Sequence, residues 1–299
     1  MRKPLFVFFL ISLSFFISSS AFAELKLGVV APRGPEKTIL RWQELASYLE
    51  KEVGEPVKIV PLTALKMYAA ASNGDIDLVF SHSPHTVFMQ EKLHGKVLAT
   101  VTTKVGPQFA GIILAKKGSG ITKSEDLIGK RVMSLKSNVA AGAYIFQTYH
   151  LLKKGINPHK DFASFTEGKT QDELVYAVRD GRVDAAFVRT GLLGAMAREG
   201  KVRMSDFVVV DRQKTEDFPL ARTTDLYPEW CVTALQGVAG KTAEKIKQAL
   251  LKLKPEMPAA QDGHIRGFVE PVSLASTMVA LQKLKLAPYD KDVNFALSR

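Results

Sequence analysis

Five short stretches carry the side chains best suited to chemistry. Ser81-His82-Ser83-Pro84-His85 follows an apolar run, Ile76–Phe80, and Ser137-Asn138 follows a short run ending at Leu135. Arg189-Thr190-Gly191 ends the apolar run Val183–Val188, and Arg33 sits in the stiff turn Ala31–Pro35. Thr223–Thr233 holds Tyr227, Trp230 and the single cysteine, Cys231. Serines at a helix start sit beside unpaired N–H groups and the positive end of the helix dipole, which favours an anion. Ser137 equally suits a plain cap of its own helix. Arg189 at a strand end can offer a carboxylate-like or phosphate-like group two parallel N–H···O bonds. Arg33 is either a second such cation or a solvated turn residue.

His82 and His85 are spaced i, i+3, but no acidic or thiol partner flanks them. No metal site is expected from them, and His82 reads better as a hydrogen-bond donor to a ligand. Tyr227 and Trp230 suit cleft walls with an O–H and an N–H to offer, or they brace a hinge. Tyr68, beside Met67, suits either a cleft wall or the core. A Cys231 facing Arg189 and the helix starts would have an acidified thiol; buried, it is a small inert hydrophobe. Nucleophilic use needs a base, and His264 or His82 could reach it only through the fold.

Positioning these groups requires alternating strands and helices. Leu25–Val30 reads as a buried strand. Thr38–Val53 has Ile39, Leu40, Trp42, Leu45, Ala46 and Leu49 at helical spacing, stopped by Gly54 and Pro56. Strand Val57–Pro61, helix Leu62–Asn73 and strand Ile76–Phe80 complete a βαβαβ unit of a doubly wound sheet. A helix over Pro84–His94 and a strand over Val97–Thr103 follow. Gln108–Ala115 enters a second lobe of the same plan, in which a helix is expected to open at Ser137–Ala143 and run to Lys154. Ser72-Asn-Gly-Asp-Ile-Asp-Leu-Val-Phe80 and Arg179-Asp-Gly-Arg-Val-Asp-Ala-Ala-Phe187 share the form Gly-x-φ-Asp-φ-φ-Phe. In each, the glycine stops a helix and the Asp ties the loop before a buried strand. Ligands of such sheets bind beyond the C-terminal strand ends, which selects Ala31–Arg33, the turn near Thr63, Ser81–His85 and the region after Val188.

Arg2-Lys3, the apolar run Leu5–Ile17 and Ala-Phe-Ala at 21–23 form a secretory leader with a cut expected after Ala23. No cysteine follows the cut, so no lipid anchor is expected, and no later run is long enough to span a membrane. Two of the +11 formal charges lie in the leader, leaving +9 in the mature chain. That balance favours anionic ligands. Dispersal of the Lys and Arg along helix faces, in an exported chain, argues against nucleic acid. A hydrophobic content of 46% supports well-cored lobes, and one cysteine excludes an intrachain disulfide.

Gly-x-φ-Asp, Phe109-Ala-Gly-Ile-Ile, Asp126-Leu-Ile-Gly-Lys-Arg-Val, Lys154-Gly-Ile-Asn-Pro, Val183-Asp-Ala-Ala-Phe-Val-Arg-Thr and Leu226-Tyr-Pro-Glu-Trp occur in this order. Together they resemble the phosphonate/phosphite-type periplasmic binding proteins, in particular the sensor domain of tetrathionate-type histidine kinases, over Leu25–Asp290. The resemblance implies a two-lobed α/β fold of periplasmic binding protein type II. Each lobe would be a mostly parallel doubly wound sheet, with two crossing strands as the hinge and an oxyanion held in the cleft. The first lobe is expected at 24–107 plus 228–299 and the second at 108–227. It further implies a periplasmic, monomeric, non-enzymatic protein without cofactors that serves an ABC permease or a membrane histidine kinase. As no kinase domain follows Arg299, sensing would use a separate partner. Three departures leave the ligand open. Ser137-Asn-Val-Ala-Ala-Gly142 replaces Ser-Phe-Gly-Gly, Ser81-His-Ser-Pro84 replaces Asn-Pro, and Cys231-Val232 replaces Pro-Phe. The expected ligand set is therefore Arg33, Tyr68, Ser81, His82, Ser83, Ser137, Asn138, Arg189, Thr190, Tyr227, Trp230 and Cys231. Alternatives are an exported thiol enzyme acting through Cys231 and a scaffold with a vestigial cleft.

Overall fold

A computed structural model describes residues 24–137 and 139–290; the expected leader at 1–23 and Asn138 lie outside the described residues. The first sheet begins with β1 (Leu25–Val30), β2 (Val57–Leu62), β3 (Leu78–Ser81) and β4 (Lys96–Thr102). The chain leaves through β5 (Gln108–Phe109) and builds a second sheet from β6 (Gly111–Lys116), β7 (Arg131–Ser134), β8 (Ser164–Glu167), β9 (Ala185–Arg189) and β10 (Phe207–Val209). A hairpin, β11 (Gln213–Thr215) and β12 (Phe218–Arg222), precedes the return through β13 (Tyr227–Pro228). β14 (Cys231–Ala234) and β15 (Gly267–Val269) then complete the first sheet.

The spatial orders are β15-β4-β14-β3-β1-β2 and β10-β6-β9-β7-β8. β2-β1-β3 and β8-β7-β9 are parallel triplets, as the alternating pattern requires. Next to each triplet lies one antiparallel strand, β14 or β6. Both sheets are therefore mixed, because the strand that arrives from the other lobe enters in reverse. β5 and β13 pair antiparallel, Phe109 opposite Tyr227, and form the crossing between lobes.

The repeated Gly-x-φ-Asp motif has the same job in both sheets. Asp77 Oδ2 accepts the Lys26 N–H at 2.8 Å, and Asp184 Oδ2 accepts the Arg131 N–H at 2.8 Å. Each carboxylate thus ties the start of the middle strand to its neighbour, and Phe80 and Phe187 behind them are fully buried. On β6 and β9 the two-residue period splits the core into two layers. Leu114, Ala186 and Val188 pack with Val175 and Met196, whereas Ile113, Ala185 and Phe187 pack with Val132 and Leu151. In the first lobe Trp42, Phe80 and Trp230 form edge-to-face contacts at 4.7 and 5.5 Å. Truncation of Phe80 to Ala would cost about 3–5 kcal/mol.

The helix expected from Ser137 does not start there. A short turn at Ala141–Ala143 precedes a helix over Ile145–Lys153, separated by Tyr144 at φ −162°. The Leu135 N–H donates to Ala143 O at 3.1 Å. Side-chain packing decides this outcome. Tyr144 stacks on Phe165 at 5.7 Å, and a Cβ on Gly142 would lie 2.8 Å from the Phe109 ring. The helix Gly240–Lys252 returns to the first lobe. The last helix, Ala275–Leu284, packs against Ser83–Leu93 of the first lobe and Ile145–Lys153 of the second.

Candidate functional site

The C-terminal ends of the parallel strands of both sheets face a cleft of about 390 Å³. From the first lobe come Val30–Pro32 after β1, Thr63–Leu65 after β2 and His82 after β3; Trp230 enters from the start of β14. The second lobe contributes Phe109, Leu135-Lys136, Ala140–Ala143, Glu167–Lys169, Gln171 and Arg189. The walls are mainly apolar, so the few polar groups decide what binds.

His82 is the least satisfied of them. Its side chain is buried, the residue being 7% exposed, and neither ring nitrogen has a hydrogen-bond partner among the described residues. Burial pushes the imidazole down to about 3, and the Arg189 charge acts in the same direction. A neutral ring offers one N–H and one lone pair. It is held flat against His85, with ring centres 4.0 Å apart and planes at 17°. His85 is fixed in turn by Ser81 Oγ at 2.6 Å and Ala64 O at 2.8 Å. Two parallel rings do not converge on a metal, and among the described residues no group of three or more His, Cys, Asp or Glu could hold one.

Arg189 lies across the cleft. Its guanidinium stacks over Phe109 at 4.7 Å and donates to Glu229 Oε1 at 2.6 Å. Its backbone N–H donates to Gln171 Oε1 at 3.0 Å. Gly142 is required beside it, since a Cβ there would lie 3.1 Å from Arg189 Cβ. Helix Ala64–Ser72 starts at the wall. Thr63 Oγ1 caps the Lys66 N–H, while the Ala64 and Leu65 amides belong to the first turn, which has no intrahelical acceptors.

Residues 27–275 match the family described as ABC transporter, phosphonate, periplasmic substrate-binding protein. The chain belongs to that family. This binding protein is 30% identical over 271 residues to the tetrathionate sensor histidine kinase TtrS of Salmonella typhimurium. The match covers 89% of the chain but only 44% of that kinase. Its fold is that of PhnD1 from Prochlorococcus marinus, solved with methylphosphonate (TM-score 0.73, 16% identity, 88% of this chain and 98% of that one). A binding protein of a Pseudomonas aeruginosa ABC phosphonate transporter gives 0.68 at 16% identity, with 82% and 80% covered. Two α/β lobes of the type II periplasmic binding protein plan are thereby established.

Of the expected ligand set, the family member brings His82, Arg189 and Trp230 to the cleft lining; Asn138 lies outside the described residues. The others stand elsewhere. Arg33 donates through Nε and Nη2 to Asp172 at 2.8 and 2.6 Å and through Nη1 and Nη2 to Glu199 at 2.8 and 2.9 Å. It is a latch between lobes, because carboxylates already fill its fork. The Ser137 N–H donates to Glu167 Oε1 at 2.8 Å, and Lys136 pairs with the other oxygen at 3.2 Å, so a protein carboxylate occupies that anion position.

Ser81 supports His85, and Ser83 Oγ accepts from Thr277 at 2.9 Å. Thr190 Oγ1 accepts the Ala110 N–H at 3.1 Å. Tyr68 is core, edge-on to His85 and Phe88 at 4.5 and 4.8 Å. Tyr227 stacks on Phe146 with centroids 3.5 Å apart and braces the crossing. Cys231 opens β14, and its side chain packs with Val87, Phe109 and Tyr227 rather than in the Trp42–Phe80 cluster that holds Trp230. There it is fully buried beside Thr100 Oγ1 at 3.4 Å, and burial pushes the thiol up to about 11. Cleft residues that sequence reading passed over as ligands are Gln171, Phe109 and Glu167; Phe109 opens the Phe109-Ala-Gly-Ile-Ile motif, and the other two carry no motif of their own.

Proposed function

We propose that this chain is a periplasmic, non-enzymatic binding protein that holds a small oxyanion between His82 and Arg189. It would present the bound ligand to an ABC permease or to a membrane sensor kinase. The supporting observation is the His82 ring, buried at the cleft wall with both nitrogens unpartnered opposite the Arg189 guanidinium. An unsatisfied buried polar group costs about 1–3 kcal/mol, and a ligand oxygen or hydroxyl removes that cost. The first-turn amides of Ala64 and Leu65 add donors on the same wall. Residues Arg189, His82, Gln171, Phe109 and Trp230 carry this binding, with Trp230 and Phe109 as walls.

Between phosphorus and sulfur oxyanions, the cleft suits the sulfur class better. Its walls are mostly apolar, the Ser137 amide is taken by Glu167 and Arg189 shares its charge with Glu229. A strongly hydrated phosphonate dianion gains little from such walls, whereas a sulfur chain with sulfonate ends can bury its middle against Trp230 and Phe109. The named specificity of the Salmonella relative points the same way. Thermal-shift and calorimetric titration with tetrathionate, thiosulfate, sulfite, methylphosphonate and phosphite, after unfolding and refolding to strip endogenous ligand, tests the reading. Stabilisation by tetrathionate above the rest is expected, and His82→Ala should abolish most of it. No stabilisation by any of the five overturns the proposal.

A further inference from the structure

We propose that Glu229 is a specificity-determining positioning residue that sets the charge the cleft accepts. The proposal rests on the oxyanion reading above and adds to it a mechanism of discrimination. Glu229 lies between the crossing strand β13 and β14, and it is 3% exposed. One oxygen takes Arg189 Nη2 at 2.6 Å and the other takes the Trp230 N–H at 3.3 Å, while the Glu229 N–H donates to Pro107 O at 2.9 Å. The residue itself is absent from the cleft lining, whereas its two neighbours in this network, Arg189 and Trp230, both line it.

Two consequences follow from that arrangement. Glu229 fixes where the guanidinium points, against Phe109 at 4.7 Å. It also offsets one of the guanidinium charges at this corner of the cleft, where the buried Arg41 lies close enough to feel both Arg189 and Glu229. A carboxylate that faced the ligand could accept a proton-bearing oxygen and so select a protonated phosphonate. Glu229 is behind Arg189 and has no such contact, so its influence on a ligand is that of charge alone. A single negative charge at the bound head is met by the remaining N–H edges of Arg189. A second charge on the same head is drawn by Lys169 on the lining but repelled by the buried carboxylate, whose field is weakly screened by water there. Glu167, which does line the cleft, is balanced by Lys136. Glu229 therefore biases the cleft towards one charge per oxyanion head, as a sulfonate has, relative to the same cleft without it.

Methanesulfonate and methylphosphonate provide the test, because they share a tetrahedral shape and differ by about one charge at pH 8.5. Wild type should bind methanesulfonate at least as tightly as methylphosphonate by calorimetry. In Glu229→Gln, which keeps an acceptor for Arg189, the affinity ratio should move about tenfold or more towards methylphosphonate. In wild type alone, methylphosphonate should bind more weakly as pH rises through its second ionisation. That measurement stands even if the variant fails to fold. An unchanged ratio in a folded Glu229→Gln, or a methylphosphonate affinity in wild type that rises with its ionisation, overturns the role of Glu229. Failure of wild type to bind methanesulfonate, methylphosphonate and tetrathionate alike overturns the oxyanion reading instead.

Discussion

Replacing Arg33 with Ala should weaken every ligand by the same factor, because Arg33 joins the lobes and touches no cleft surface. Its guanidinium makes four charge-assisted contacts of 2.6–2.9 Å to Asp172 and Glu199. The Arg33 side chain is 23% exposed, Asp172 13% and Glu199 36%, so the pair with Asp172 is the stronger. A surface pair contributes about 0.2–1 kcal/mol, and a bidentate, half-sheltered one somewhat more. The latch then adds about 2 kcal/mol to the closed form, with Lys37 and Lys201 left near Asp172 at 3.7 and 3.5 Å to soften the loss. If ligand binds only the closed form, about 2 kcal/mol converts to a roughly 30-fold weaker Kd. Calorimetry should give this shift for tetrathionate and methanesulfonate alike, and stopped-flow should place it in koff. A double-mutant cycle of Arg33→Ala with Asp172→Asn should show coupling, whereas Lys58→Ala at the remote Lys58–Glu24 pair should change nothing. Loss of one ligand with the other untouched would mean that Arg33 contacts ligand; an unchanged Kd for both would remove the latch altogether.

Further outcomes can be read from the same geometry. Glu199 is held down to about 2, first by its Arg33 hydrogen bond and then by Lys201. Its depressed folded value means the latch is intact above about pH 4.5 and is lost as pH falls towards 2, so closure followed by small-angle scattering should fail only in that window. His82, lowered to about 3 by burial, stays neutral above pH 6. Ligand affinity should therefore be flat from pH 6 to 8 for a sulfonate, and tightening on acidification through 6.5 would contradict a neutral ring. Gly142→Val places side-chain atoms against Phe109 and Arg189 Cβ, and it should reduce affinity at least tenfold with little loss of secondary structure by circular dichroism. Cys231→Ser should retain binding, and the wild-type thiol should resist labelling at pH 8 until the protein is denatured, as a buried group pushed up to about 11 requires.

The parallel core of each sheet was legible in the sequence, because Gly-x-φ-Asp punctuates β3 and β9 and apolar period and glycine stops mark their helices. Strand ends were legible too, and with them the cleft position of His82 and Arg189. Direction within the sheets was not: β14 and β6 read like any other short apolar strand, and their reversal follows from which lobe the chain arrives from. The Val139–Ala143 segment misled because three of its five residues are alanines, the best helix formers, whereas packing at Tyr144 and Phe109 decides its shape. Partner choice was the least legible level. Arg33 next to a strand end looks like an anion ligand until Asp172 and Glu199, 139 and 166 residues away in sequence, take up its donors. Cys231 stood out by its rarity, but it packs inward with Val87, Phe109 and Tyr227.

The central position of β14 also fixes an order of assembly. Residues 111–209 supply every strand of the second sheet, so that lobe can close on itself as soon as its own segment is available. The first sheet cannot: β3 and β4 have a gap between them until residues 231–234 arrive, some 130 residues after β4 ends. A chain emerging N-terminus first would thus carry two unpaired, apolar strand edges while its later part is still unfolded. Refolding should show an early phase for the second lobe and a slower, non-local phase when β14 inserts. Truncation ahead of Cys231 should yield aggregates rather than a smaller binding protein.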